Sequence, residues 1–369
     1  MRELMPGLAR LIMRRLRRDE RGAVAVLVAL LIGGGVLTGM AALVVGVGQL
    51  YAERAQLQNG ADAAALAVAK SCAAGTCTPA LATTYADANA SDGVSAVPLV
   101  CGSGSLGGCP ASTGRMADCP APPGGPDYLD VHTATENTDG SSLLPAAFVR
   151  TLPGEADYKG TAVGACAQAE WGPPLTATTT AFTVSACEWD TATSLGASLA
   201  APPPYPPSPL PDPSIDQVLK LRATAGSGCP SQSAPADGPG TFGWTDDQTG
   251  TCAMAVTGST YAAGPDESGL SCAGALAAAV ASRAPVDIPV YSSVAGTGSD
   301  AVYTLKGFAA FVITGYQLPG SAASDWLDPA NDCTGSDECI NGFFVRALIP
   351  ASGAVGGPDL GATEIKLSG

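Results

Sequence analysis

The stretch from residue 23 to residue 47, AVAVLVALLIGGGVLTGMAALVVGV, holds 25 residues without a single charge. At about 1.5 Å per residue, a helix of that length is about 37 Å long, enough to cross a hydrocarbon layer of about 30 Å with some tilt. No other segment constrains the chain as strongly, because so much contiguous apolar surface must be covered by lipid or by another protein surface. Seven arginines precede it: Arg2, Arg10, Arg14, Arg15, Arg17, Arg18 and Arg21. Arginine clusters beside an apolar span stay on the cytoplasmic side. The expected topology is a single pass, with residues 1–22 in the cytoplasm and the C-terminal part outside the cell membrane.

The charge supports that division. Residues 1–22 carry seven arginines against Glu3, Asp19 and Glu20, a net +4. The other 347 residues carry 11 basic and 30 acidic side chains, a net −19. So acidic a domain repels nucleic acid and anionic lipid, and neither is expected as a partner. All twelve cysteines lie beyond the apolar stretch: Cys72, Cys77, Cys101, Cys109, Cys119, Cys166, Cys187, Cys229, Cys252, Cys272, Cys333 and Cys339. An even number confined to the outer side reads as a disulfide framework whose connectivity is open. The close pairs Cys72/Cys77 and Cys333/Cys339 suit local loops. No CxxC occurs and His132 is the only histidine, so the common zinc spacings are absent and no metal is expected.

Beyond the span, Leu50, Leu57, Ala61, Ala64 and Val68 share one helical face, with Gln49, Glu53, Gln56, Asn59 and Lys70 on the wetter side. No proline falls between Pro6 and Pro79. The spacing predicts one helix from about residue 23 to residue 71, lipid-soluble over 23–47 and an amphipathic stem over 48–71. Gly35-x-x-x-Gly39 places small residues one turn apart, where two helices can approach closely. After Cys77 the pattern turns β-like. Strands are expected at Tyr128–Thr135, Ala162–Trp171, Thr178–Cys187, Gln217–Ala223, Val286–Tyr291, Ala301–Leu318 (a hairpin or one bent strand) and Gly342–Ile349. Residues 101–126 read as a stapled loop. The run APPPYPPSPLPDP at 201–213 reads as an extended linker between a first ectodomain part (72–200) and a second (214–369). The fold class is α+β: an N-terminal transmembrane helix extended as a pilin-like stem, then a disulfide-rich, mainly β extracytoplasmic domain.

The flanks of the span carry a family resemblance. The segment Arg18-Asp19-Glu20-Arg21-Gly22-Ala23-Val24-Ala25-Val26 and the segment Glu53-Arg54-Ala55-Gln56-Leu57-Gln58-Asn59-Gly60-Ala61-Asp62-Ala63-Ala64-Ala65-Leu66-Ala67 resemble the TadE/TadG-like pilus-assembly proteins. The resemblance covers about residues 18–70. It implies a minor pilin-like or assembly component of a tight-adherence (Flp-type) pilus, a type II-like secretion system. Other pilus or secretion-system membrane proteins would be its partners through the N-terminal helix. It also marks Gly22 and Ala23 as a possible prepilin cleavage point. Two positions depart from the family pattern. Val45-Gly46-Val47-Gly48 lacks the late-span aspartate, and Leu27 stands where pilins carry glutamate. Retention and cleavage of residues 1–22 both stay open.

The sequence offers little to an enzyme. No Gly-x-Ser-x-Gly, HExxH or Walker A motif occurs. His132 sits in an alternating strand without a nucleophile motif beside it. Asp190-Thr191-Ala192-Thr193-Ser194 approximates a DxSxS metal site but has alanine where the first serine should be. The expectation is no enzyme, no cofactor and no catalytic residue. The rival reading is a signal-anchored surface adhesin or wall-associated binding protein that never enters a pilus.

Overall fold

A computed structural model describes residues 24–30, 36–115, 117–124, 127–144, 157, 159–201, 210–221, 242–247, 249–264, 268–296, 300–331 and 338–368. Residues 24–30 are helical, and the long helix α1 spans Val36–Ala73. Residues 31–35 of the expected continuous helix, Gly35 among them, lie outside the described residues. Among the described residues no helix is long and apolar enough to cross a membrane.

The upper half of α1 lies on a five-stranded sheet ordered β1-β2-β3-β15-β14, with β1 at Ala96–Gly102, β2 at Asp127–Ala134, β3 at Gly164–Gly172, β14 at Ala347–Leu348 and β15 at Ala362–Leu367. The sequence dictates the close seat. Ala61, Ala64, Ala65, Val68 and Ala69 are fully buried on the helix, and Leu129, Val131, Ala167 and Ala169 meet them from β2 and β3. Small side chains on both surfaces let the helix axis approach the sheet. A second helix, α2 (Leu81–Asn89), packs beside α1. Gly60 makes that approach possible, since a Cβ there would stand 3.3 Å from the Cα and the carbonyl oxygen of Ala86. The alternate residues of β2 and β3 face the other way and are polar. There Gln168 Nε2 donates to Asp130 Oδ1 at 2.9 Å, and Lys366 pairs with Glu170 at 2.9 Å.

A larger sheet has the path β6-β13-β11-β10-β5-β7. Its strands are β5 (Phe182–Ser185), β6 (Gln217–Lys220), β7 (Phe242–Trp244), β10 (Val286–Ala295), β11 (Val302–Leu318) and β13 (Cys339–Val345). Two short strands, β9 (Thr260–Ala262) and β12 (Ser321–Ala323), also pair with β11, and β4 (Ala177–Thr180) pairs with β8 (Ala253–Val256). From Gly307 to Tyr316 every residue of β11 is buried, because both faces of the sheet are covered. Helices α3 (Ala186–Thr193) and α4 (Ser268–Ser282) contribute to one core, where Phe182, Phe242, Phe311 and Phe344 meet edge-on. On the opposite face Tyr261 stacks on Tyr303 at 5.3 Å and Trp326 meets Phe343. The few aromatic residues are thus concentrated in two layers, and such pairs contribute about 1 kcal/mol each beyond their burial.

Several expectations need correction. The strand expected at Thr178–Cys187 is two strands, β4 and β5, with different partners, and it ends in a helix. The helix starts where Ser185 Oγ accepts the N–H of Glu188 at 3.1 Å. Ser185-x-x-Glu188 is a capping signature present in the sequence. Of the two readings of 301–318, the single bent strand is the one present, as β11, and it forms a hairpin with β10. Helices α2 and α4 and strands β1 and β15 lie in regions read only as loop or general β pattern. β6 stands within the segment expected for it, and β2 and β3 match theirs except for one residue beyond an end, Asp127 and Gly172. β5, before the proline-rich run, pairs in parallel with β10 after it, so strands from both flanks of that run share one sheet.

Candidate functional site

Chemistry on this chain concentrates on α1, and its two halves behave differently. In the upper half, the residues of the pilus-like signature bond within the molecule. Gln58 Nε2 donates to Asp62 Oδ1 at 2.9 Å and to the Cys166 carbonyl at 3.0 Å. The Gln56 side chain accepts the N–H of Ser91. Thr133 Oγ1 donates to the Leu57 carbonyl at 2.9 Å. Burial raises the Glu53 carboxyl, a hydrogen bond from Thr135 lowers it, and the charge of Asp92 raises it again, for a net upward shift. The side chains of Leu57, Gln58, Ala61, Ala64 and Ala65 therefore seat the helix on its own sheet, Gln56 ties it to the turn after α2, and Gly60 admits α2 against it. The expected apolar face is confirmed from Leu57 to Val68. Glu53 and Gln56, expected on the wet side, are half-buried.

The lower half has no such cover. Leu43, Val44 and Tyr51 are 68, 70 and 73 % exposed, and Val24, Leu27, Leu30 and Met40 are exposed with them. In this half, residues 24–30, 40, 41, 43–45, 47–49 and 51 are exposed. Gly39 is half-buried in α1; the other glycine of the expected helix-packing motif, Gly35, and the expected cleavage point, Gly22 and Ala23, lie outside the described residues. Where the exposed half meets the sheet domain there is a groove of about 520 Å³, lined by Val47, Leu50, Tyr51 and Arg54 of α1, by Arg115 and Ala117, by Thr161, Ala162 and Val163 ahead of β3, and by Gly164 at its start.

The described cysteines are bridged. Disulfides join Cys72 to Cys77, Cys101 to Cys109, Cys119 to Cys166 and Cys252 to Cys272. Cys187 and Cys339 are also disulfide-bonded, while Cys229 and Cys333 lie outside the described residues. The local loop expected at Cys72/Cys77 is present. Cys119–Cys166 is different in kind, since it ties the 101–126 segment to the polar face of β3.

Two ligand-like clusters surround His132, one with Cys119 and Cys166 and one with Cys101 and Asp130. The three sulfurs are committed to disulfides, so they offer no thiolate to a metal. Asp190 lies within α3 and forms an ion pair with Lys306 at 3.0 Å, and Thr193 Oγ1 donates to the Trp189 carbonyl. The Asp190–Ser194 segment is a capped helix end rather than an ion-binding loop.

Two buried carboxyl pairs were not legible in the sequence. Asp216 follows the proline-rich run, and Thr314 Oγ1 donates to its Oδ1 at 2.9 Å. Burial first, and then its hydrogen bond and repulsion with Asp325, push its carboxyl up to about 8. Burial would raise Asp325 too. The hydrogen bond from Asp216, the N–H groups of Asp328 and Leu327, and Asn341 outweigh it and hold Asp325 below the usual carboxylate range. The pair is a protonated acid facing a carboxylate. At the other pair, burial and then the charge of Glu364 push Asp287 up to about 8, and burial raises Glu364.

No curated protein and no solved structure matches the chain. A family model does, over residues 22–71, and it is described as "Putative Flp pilus-assembly TadE/G-like". That interval runs from the arginine-flanked start of the apolar stretch to the end of the seated half of α1, so the N-terminal segment of this chain carries the TadE/G-like pilus-assembly signature.

Proposed function

We propose that the protein is a membrane-anchored, minor pilin-like or assembly component of a tight-adherence pilus, and that it is not an enzyme. The observation that carries this reading is the coincidence of the family match at 22–71 with a helix whose first part is apolar and exposed. The matched segment has two tasks. Its C-terminal half holds the helix rigidly on the ectodomain through Leu57, Ala61, Ala64 and Val68. Its N-terminal half leaves an apolar surface for lipid and for the helices of other pilus components. A helix anchored at one end by a folded domain presents that surface in a fixed direction, which lowers the entropy lost on packing into an assembly. The arginines ahead of the span support a cytoplasmic N-terminus, and the bridged cysteines suit an oxidising compartment outside the membrane.

Cell fractionation tests this reading. A pilus component should appear in sheared surface material and disappear from it when the secretion ATPase is deleted. Retention in the membrane in both strains would favour the surface-adhesin reading. Intact-mass measurement of the mature protein decides between cleavage after Gly22 and retention of Met1.

A further inference from the structure

Cys119, His132 and Cys166 bring two sulfurs and a ring nitrogen within 4.8 Å of one another. Strand register creates the cluster. His132 of β2 stands directly opposite Cys166 of β3, and the bridge carries Cys119 from the 117–124 segment to the same point. His132 is the only histidine in the chain. Of the four bridges with both ends described, Cys119–Cys166 is the one that sets both of its sulfurs at an imidazole. Both cysteines are buried and His132 is half-buried. Asp130 places a carboxylate oxygen within 4.8 Å of a ring nitrogen, a position from which a carboxylate orients a ligating histidine. In the bridged chain the sulfurs bind no metal, but opening the bridge changes their chemistry. In a tetrahedral zinc site, sulfur at about 2.3 Å and nitrogen at about 2.0–2.1 Å from the ion lie about 3.5–3.8 Å from each other. The ring nitrogen already has that reach, so only the two sulfurs have to part. Two thiolates and an imidazole also select zinc over calcium or magnesium, which prefer oxygen.

We propose that reduction of Cys119–Cys166 uncovers a zinc site made of the Cys119 and Cys166 thiolates and the His132 imidazole, with the fourth position open to water. An external dithiol opens the bridge by exchange. It leaves as a disulfide, and two electrons and two protons pass to the Cys119 and Cys166 sulfurs. Zn2+ then displaces both thiol protons. The bound ion keeps the 117–124 segment on β3 while the bridge is open. An external disulfide reverses the step: it takes two electrons from the thiolates, the bridge re-forms and the ion is expelled. The site is independent of the pilus reading.

The test uses the full chain, reduced with a water-soluble phosphine that is itself oxidised to the phosphine oxide, and Co2+ as a coloured stand-in for zinc. A thiolate-to-cobalt charge-transfer band should appear in the reduced chain, be absent from the bridged one, and disappear when Zn2+ displaces the cobalt. One equivalent of Zn2+ should shield Cys119 and Cys166 from alkylation ahead of the other cysteines. H132Q should weaken binding by more than the ~10–100-fold that losing an outer-shell partner costs. Two variants need no reductant and leave the other bridges closed: C119S and C166S each free one thiolate beside His132. Each should bind zinc, more weakly than the reduced chain, and adding H132Q should abolish that binding. The site is overturned by shielding spread evenly over all the cysteines, by binding that survives H132Q in either setting, or by C119S and C166S both failing to bind zinc.

Discussion

Asp216 sits 7 % exposed between β11 and the end of the proline-rich run, and its ionisation sets a pH dependence. Its carboxyl titrates near about 8 when folded and near the ordinary 3.8 when unfolded. Between those values the native state holds a proton that the unfolded chain has released. Stability is therefore fully present below about pH 4, falls as pH rises towards 8, and levels off above it. Asp287 adds to the slope with the same sign. Denaturant unfolding should give an unfolding free energy higher at pH 5 than at pH 8 by on the order of 1–3 kcal/mol, seen as a higher midpoint. Asp216→Asn keeps a donor facing Asp325 and should flatten part of that slope. A midpoint that rises with pH would refute the assignment of a protonated acid at this position.

Disulfides define the element scale, because each constrains a different length of chain. The bridge Cys119–Cys166 has a sequence separation of 47, against 5 for Cys72–Cys77 and 20 for Cys252–Cys272. In the loop-entropy account these correspond to about 4, 2 and 3 kcal/mol. Of these three removals with paired serines, that of the Cys119–Cys166 bridge should therefore cost the most. It should also loosen residues 110–124 from the polar face of β3. The Cys72–Cys77 pair closes the end of α1, and its removal should cost about half as much. Unfolding free energies of the three double mutants check the order. A larger loss at Cys72/Cys77 than at Cys119/Cys166 would show that strain or residual unfolded structure, rather than loop length, governs this domain.

At the scale of the whole molecule, the last strand holds the first helix. β15 pairs with β3 on one side and with β14 on the other, and its Ile365 packs on the α1 core. β13 belongs to the large sheet and runs on through Arg346 into β14 of the small one. An ion pair between Arg346 and Asp359 at 2.9 Å sits at that crossover. The two sheets are thus joined by one strand path, and the helix seat depends on residues nearly 300 positions away in sequence. A chain stopped after Gly361 should lose the edge of the small sheet and expose residues 52–71 to protease. Limited proteolysis read by mass spectrometry measures this directly. Undiminished protection of that segment would mean that β2 and β3 alone suffice to hold α1.

The apolar stretch at 23–47, the alternating faces of β2 and β3 and the Leu57–Val68 stripe on α1 were all legible in the sequence, because local periodicity alone specifies them. The alanine face of α4 and the capping box at Ser185 were equally local signals that a strand-like reading of the region passed over. Other features had no local signal. β1 and β15 are strands only because β2 and β3 offer edges to pair with. The 178–187 run splits in two because its halves face different partners. The acid facing Asp325 is protonated only because folding brings Asp216, 109 residues earlier, beside it in a place water does not reach. The charge-free stretch and the family signature were set by residue order alone. The seat of the helix, the bridge between distant cysteines and the groove lined by Arg54 and Arg115 were decided by tertiary structure, because each depends on groups that only the folded chain brings together.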